Sequence, residues 1–161
     1  MDGSFGIIFS EDDSKVLLVK RRDIPIWVLP GGGIEFGETP QDAVIREVFE
    51  ETGFKVEILK HVSIYTHKSG KVNHTFECKI IDGVETTSNE SSEIDYFNFD
   101  GLPEMISPYV HRLIEDARSK NSDVLRKPAE ETPKYLWIKA LKHPWAFFKY
   151  LLTRVGIHWN T

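Results

Sequence analysis

Short apolar runs separated by turn residues, a strongly capped amphipathic helix set among them and a second helical stretch near residue 110 predict an α/β fold in which a mixed sheet lies between helices. In chain order, SFGIIF (4–9), KVLLVK (15–20) and IWVL (26–29) read as strands, and residues 11–14 as the turn between the first two. The first helix follows at 40–52. Two long β-rich runs come next, at 55–66 and 71–81, parted by Ser69 and Gly70, and a shorter one, IDYFNF, at 94–99, beyond the turn at Asp82 and Gly83. Residues 108–120 fit a second helix. The pattern divides the chain into a domain over 1–120, a linker over 121–133 rich in charge, Pro and Ser, and a helical extension over 134–161.

The first helix carries the strongest signals. Thr39 is placed to cap it, Pro40 suits its first position, Asp42 can complete a capping box, and Gly53 supplies the left-handed residue that ends it. Val44, Ile45, Val48 and Phe49 gather on one side and are expected to meet a core. Glu47, Glu50 and Glu51 fall on the other. Like charges at this spacing repel by about 0.2–0.5 kcal/mol per pair, so a cation is expected to relieve them. Arg46 is available as one partner, and an exposed acidic face would otherwise be ordinary.

The preceding segment, LPGGGIEFGET (29–39), shifts the balance. Three consecutive glycines after an apolar run allow unusual backbone angles and a close approach of main-chain groups to a ligand. A glycine loop leading to an acidic helix face is a place where a divalent cation and a phosphate can meet, because magnesium takes a few carboxylates together with waters and substrate phosphates. Gly32, Glu38, Arg46, Glu47, Val48, Glu50, Glu51, Gly53 and Phe54 together match the signature of the Nudix hydrolases at every defined position of its 23-residue window.

That resemblance implies the Nudix-type α/β/α sandwich over residues 1 to about 120 and a hydrolase that cleaves the pyrophosphate bond of a nucleoside diphosphate linked to another moiety. It implies that Glu47, Glu50 and Glu51 hold Mg2+, with Mn2+ as a substitute and the Gly31 carbonyl as a further ligand. Arg46 becomes an orienting partner, and Glu38 steadies the loop. The general base differs among family members, so Glu47 stands beside a glutamate of the later loop, Glu90 or Glu93, with Glu93 at the better spacing from Phe97 and Phe99. Arg21 and Arg22 are candidates for substrate phosphates. The rival readings are a non-catalytic nucleotide sensor, which would not need every carboxylate, and a scaffold acting through the tail.

Other features exclude more than they assign. Cys78 is the sole cysteine, so no internal disulfide forms, and it reads as a buried apolar residue. His61, His67 and His74 fit no common zinc spacing, and Trp27 reads as core. The N-terminus, Met1-Asp2-Gly3, lacks the basic and apolar regions of a cleavable signal, and a cytoplasmic protein is expected. Residues 1–131 carry a net charge of -10, which makes nucleic acid an unpromising partner, whereas 132–161 hold five basic groups and no acid. Within the extension, HPWAFFKYLLTRVG (143–156) predicts an amphipathic helix too short to span a bilayer. Its apolar side is expected to pack on the domain or on a second subunit in a homodimer, in preference to an anionic membrane surface.

Overall fold

The computed structural model of the chain describes residues 1–119 and 121–129. They form β1 (Gly3–Ile8), β2 (Lys15–Arg21), β3 (Trp27–Val28), β4 (Gly31–Gly33), α1 (Pro40–Thr52), β5 (Phe54–Thr66), β6 (Val72–Gly83), β7 (Ser91–Asn98), α2 (Pro108–Arg118) and β8 (Leu125–Pro128). A five-stranded mixed sheet runs β4-β1-β6-β5-β8, and a three-stranded antiparallel sheet runs β3-β2-β7. In the larger sheet β1 pairs parallel with β6, while β5 and β6 form a long antiparallel hairpin.

The apolar runs of β1 and β2 are continuous because both of their faces are covered. Ile7, Val16 and Leu18 join Val62, Val110 and Ile114 in a core beneath α2. Their chain neighbours Ile8, Leu17 and Val19 join Val44, Val48 and Phe76 in a second core beneath α1. The period of two along each strand therefore feeds two cores at once, and the result is the expected α/β/α layering. Each of these side chains, fully removed from water, contributes about 1.5–3 kcal/mol. Trp27 is buried in the first core, edge-on to Phe97. Among the described residues no helix is long and apolar enough to cross a membrane.

Three expectations are corrected. The glycine run is a strand, β4, paired antiparallel with Gly3–Phe5 of β1; only residues without a side chain fit there, since a Cβ on Gly31 would lie 2.3 Å from the Ser4 carbonyl oxygen. Ile45 and Phe49 do not face the core and are 40% and 50% exposed. The buried stripe of α1 is instead Ala43, Val44, Val48, Glu51 and Thr52, because Gly6 admits Val48 close to β1 and so turns the glutamate side inward. Finally, the stretch read as a linker contains β8, which pairs parallel with Ser63–Thr66 of β5 and is followed by a bond from the Ala129 N–H to the Thr66 carbonyl. Its alternation of half-buried and exposed residues is too short to stand out from a charged stretch. Residues 130–133 and the extension at 134–161 lie outside the described residues.

Candidate active site

The position of α1 follows from its ends. Thr39 Oγ1 accepts the Asp42 N–H at 3.1 Å, and Gly53 takes the left-handed conformation with its N–H on the Phe49 carbonyl, as the sequence predicts. The Asp42 carboxylate accepts from the Thr39 hydroxyl, so the box closes on the hydroxyl. Ser4 Oγ, from β1, donates to the Pro40 carbonyl at 2.7 Å and ties the first turn of the helix to the sheet. This attachment brings α1 against β4. The Glu47 carboxylate then lies over Gly32, where a Cβ would come within 2.6 Å of it, and Glu51 Oε2 accepts the Gly31 N–H at 2.9 Å.

Arg46 is the hub of the acidic face. Its guanidinium donates to both Glu38 oxygens at 2.9 Å, to Glu47 at 2.9 Å, to Glu50 at 3.1 Å and to the Gly33 carbonyl at 3.0 Å. Five bonds from one planar fork require Arg; Lys offers a point charge with no such geometry. The paired guanidinium holds the Glu38 carboxyl down at about 2. Glu38 also accepts the Glu35 N–H and so steadies the loop before the helix. All of these Arg46 contacts are to carboxylates and backbone of the chain itself.

The three predicted metal carboxylates sit in different surroundings. Glu50 is 56% exposed on its side chain, Glu47 14%, and Glu51 is nearly buried. Burial pushes Glu51 up to about 7, opposed by the Gly31 N–H and reinforced by the charges of Glu47 and Glu90. Burial also raises Glu47, against the pull of Arg46. A buried carboxylate beside two others is a site that gains from a cation. Among the described residues no three acidic, His or Cys side chains close into a metal cage. The donors are hard oxygens, and the set suits an ion such as Mg2+ that completes its shell with water and phosphate.

The remaining predicted residues separate. Glu93 pairs with Lys20 at 2.6 Å across the β2–β7 ladder and is more than half exposed. Glu93, expected in the loop, thus lies on β7, and only Glu90 belongs to the loop before it; the charge of Glu90 acts on Glu47, Glu51 and Arg21. The loop is held in place because Ser91 Oγ donates to the Glu51 carbonyl at 2.6 Å. Arg22 spends its guanidinium on the Ser88 and Ser91 carbonyls and its N–H on that of Glu90, so it shapes the loop. Arg21 pairs with Asp23 through two bonds, and it lines a pocket together with Glu51 and Gly31. His61 and His74 lie 3.3 Å apart, stacked with Phe76, and His67 contacts Asn73.

The sequence did not disclose that pocket. It encloses about 140 Å3 between the sheet and α2, with Phe5, Tyr65, Asn73, Thr75, Tyr109 and Arg112 in its wall. Ala129, just past β8, closes one side. The wall is braced by Asp116, which is 5% exposed and accepts from the Tyr65 hydroxyl at 2.6 Å and from Lys127 Nζ at 2.5 Å. Its residues come from eight separate elements, so only the folded chain brings them together.

The comparisons with known proteins agree with this geometry. The family model described as the NUDIX domain matches residues 2–117. A MutT-like protein of Streptomyces ambofaciens is 39% identical over 112 residues, 68% of this chain and 72% of the relative. An ADP-ribose pyrophosphatase of Methanocaldococcus jannaschii is 31% identical over 124 residues, 72% of each chain. The crystal structure of an ADP-ribose pyrophosphatase from Streptococcus suis superposes with a TM-score of 0.65 at 27% identity, covering 77% of this chain and 96% of that one.

Proposed function

The chain belongs to the NUDIX family and is a Nudix hydrolase, and from that premise we propose that it cleaves, with Mg2+ bound, the pyrophosphate bond of a nucleoside diphosphate joined to a second moiety. The observation that carries this reading is the continuity of the site. Glu51 belongs both to the acidic face organised by Arg46 and to the wall of the pocket beneath α2. A phosphate chain at the helix and a larger group in the pocket can then belong to one substrate.

Glu47, Glu50 and Glu51 would hold the metal, which supplies charge neutralisation at the bridging phosphates and a more acidic water. Arg46, bonded to both, would hold Glu47 and Glu50 in orientation. Arg21, in the pocket wall with Glu51, would position a phosphate oxygen. For the proton of the attacking water, Glu47 and Glu90 are better placed than Glu93, whose carboxylate is committed to Lys20. ADP-ribose, the compound in the names of the archaeal relative and the streptococcal structure, is the first substrate to assay. Hydrolysis in labelled water should place one heavy oxygen in one of the two phosphate products. Release of an intact diphosphate from a terminal ester would show a different reaction class.

A further inference from the structure

Two residues of the pocket wall each carry a buried polar atom that has no hydrogen-bond partner among the described residues. Asn73 and Thr75 stand two apart on β6, so both project from one face of the strand, and both line the pocket. Asn73 Oδ1 and Thr75 Oγ1 are buried without a hydrogen-bond partner, and Thr75 as a whole is 1% exposed. Asn73 Nδ2 lies 3.0 Å from His67 Nε2, so one half of the amide is engaged by the imidazole and the other is left. Buried polar groups in native chains are nearly always bonded, so an exception on a pocket wall calls for a partner from outside the chain, a water or a ligand that displaces it. Ser63 Oγ is also unpartnered, but Ser63 is fully buried and does not line the pocket.

The rest of the wall defines what enters. Phe5, Tyr65 and Tyr109 set three aromatic rings in a wall that also holds Val28, Leu29 and Leu113 and the charged Arg21, Glu51 and Arg112; such rings suit a flat heterocycle, since every base offers a π-face. We infer that Asn73 and Thr75 select the nucleobase of the substrate: Asn73 Oδ1 accepts an N–H of the base edge, and the Thr75 hydroxyl bonds an adjacent ring atom. The inference rests on the hydrolase reading, because Glu51 joins this pocket to the phosphate site, and it names the part of the substrate that the pocket reads. A sugar would offer hydroxyls to the same two atoms but no flat face to the aromatic rings.

Equilibrium binding separates the two ideas, since it needs no turnover. Calorimetric titration with AMP, GMP, CMP and UMP, each against ribose 5-phosphate and all in the presence of Mg2+, should find at least one nucleotide bound about tenfold more tightly than the base-free sugar phosphate. Thr75→Val, which keeps shape and strand propensity, and Asn73→Leu should each erase most of that preference while leaving ribose 5-phosphate affinity within about twofold, as expected when a site built to bond an N–H loses its partner. No preference for any nucleotide, or a preference that survives both substitutions, overturns the inference. A preference that is present and sensitive to Thr75→Val in a protein that hydrolyses none of the diphosphates would uphold it and overturn the hydrolase reading instead.

Discussion

The two sides of Glu51 are built on opposite plans. Towards the helix surface, the carboxylates of Glu38, Glu47 and Glu50 all converge on the Arg46 guanidinium, so ionised groups are crowded but satisfied. Towards α2, the pocket wall mixes aliphatic and charged side chains with three aromatic rings, and two of its residues carry a buried polar atom with no partner among the described residues. The first arrangement holds charge ready for a metal and phosphates, which nearly all substrates of this bond type share. The second withholds hydrogen bonds until a particular group supplies them. On the reading proposed above, chemistry and selectivity fall on different elements that meet at one side chain, and substitutions on either side should separate them.

The largest effect is expected at the meeting point. Glu50→Gln and Glu51→Gln each remove a charge while keeping shape, and turnover should fall about 100-fold or more with an unchanged far-ultraviolet spectrum. Unaltered kinetics in both variants at limiting Mg2+ would remove these glutamates from the metal site. A smaller loss, about 10- to 100-fold, is expected for Arg46→Lys, because an ammonium cannot reproduce five bonds from a planar fork. If Arg46→Lys matches the wild type, the hub acts through charge alone.

On the pocket side, Lys127→Met tests whether the segment after α2 serves selectivity. Lys127 is 41% exposed on its side chain and Asp116 only 5%, so losing the pair should cost about 1 kcal/mol or less after solvent screening. The wall braced by Asp116 should loosen, raising KM several-fold with kcat little changed. A fall in kcat at constant KM would place β8 in the chemistry and blur the division between the two sides.

The acid response should be milder still. His61 and His74 are held below the usual histidine range, chiefly by burial; each feels Arg126, and the Asp2 carboxylate partly opposes the shift at His74. A depressed folded-state value means that the unfolded chain binds protons first, so their contribution is intact above about pH 6.5 and is lost as the pH falls through that range. Chemical denaturation of His61→Phe, which retains a ring against Phe76, should therefore show a shallower decline between pH 7 and 5. A steeper decline would reverse the sign of the argument. Least affected of all should be Cys78, buried and pushed up to about 12 by its surroundings. Native protein should resist thiol reagents that label it readily once unfolded, and rapid native labelling would show that the core beneath α1 opens.

Much of the acidic side was legible in the sequence because a helix places residues three and four apart on one surface. Thr39, Pro40 and Gly53 marked the ends of α1, and Glu47, Glu50 and Glu51 could be grouped before any coordinate was known. The strands of β1, β2, β5 and β6 were legible for a similar reason, since long apolar runs have few alternatives. Which way α1 turns was not. Ile45 and Phe49 look as apolar as Val44 and Val48, and only the closeness allowed by Gly6 rotates Glu51 inward and leaves them in water. The choice between Glu90 and Glu93 was also hidden, because it depends on Lys20 lying opposite Glu93 across a ladder 73 residues apart in sequence. The pocket was the least legible feature. Phe5, Tyr65, Asn73, Thr75 and Tyr109 have no common period, and the absence of a partner for Asn73 Oδ1 and Thr75 Oγ1 exists only once every other group has found its own. The chain by itself determined the acidic helix, its caps and the strands that carry it, because those rest on contacts between near neighbours. The packing of α2 and β8 on the sheet decided the pocket, because that depends on contacts between residues far apart in the chain.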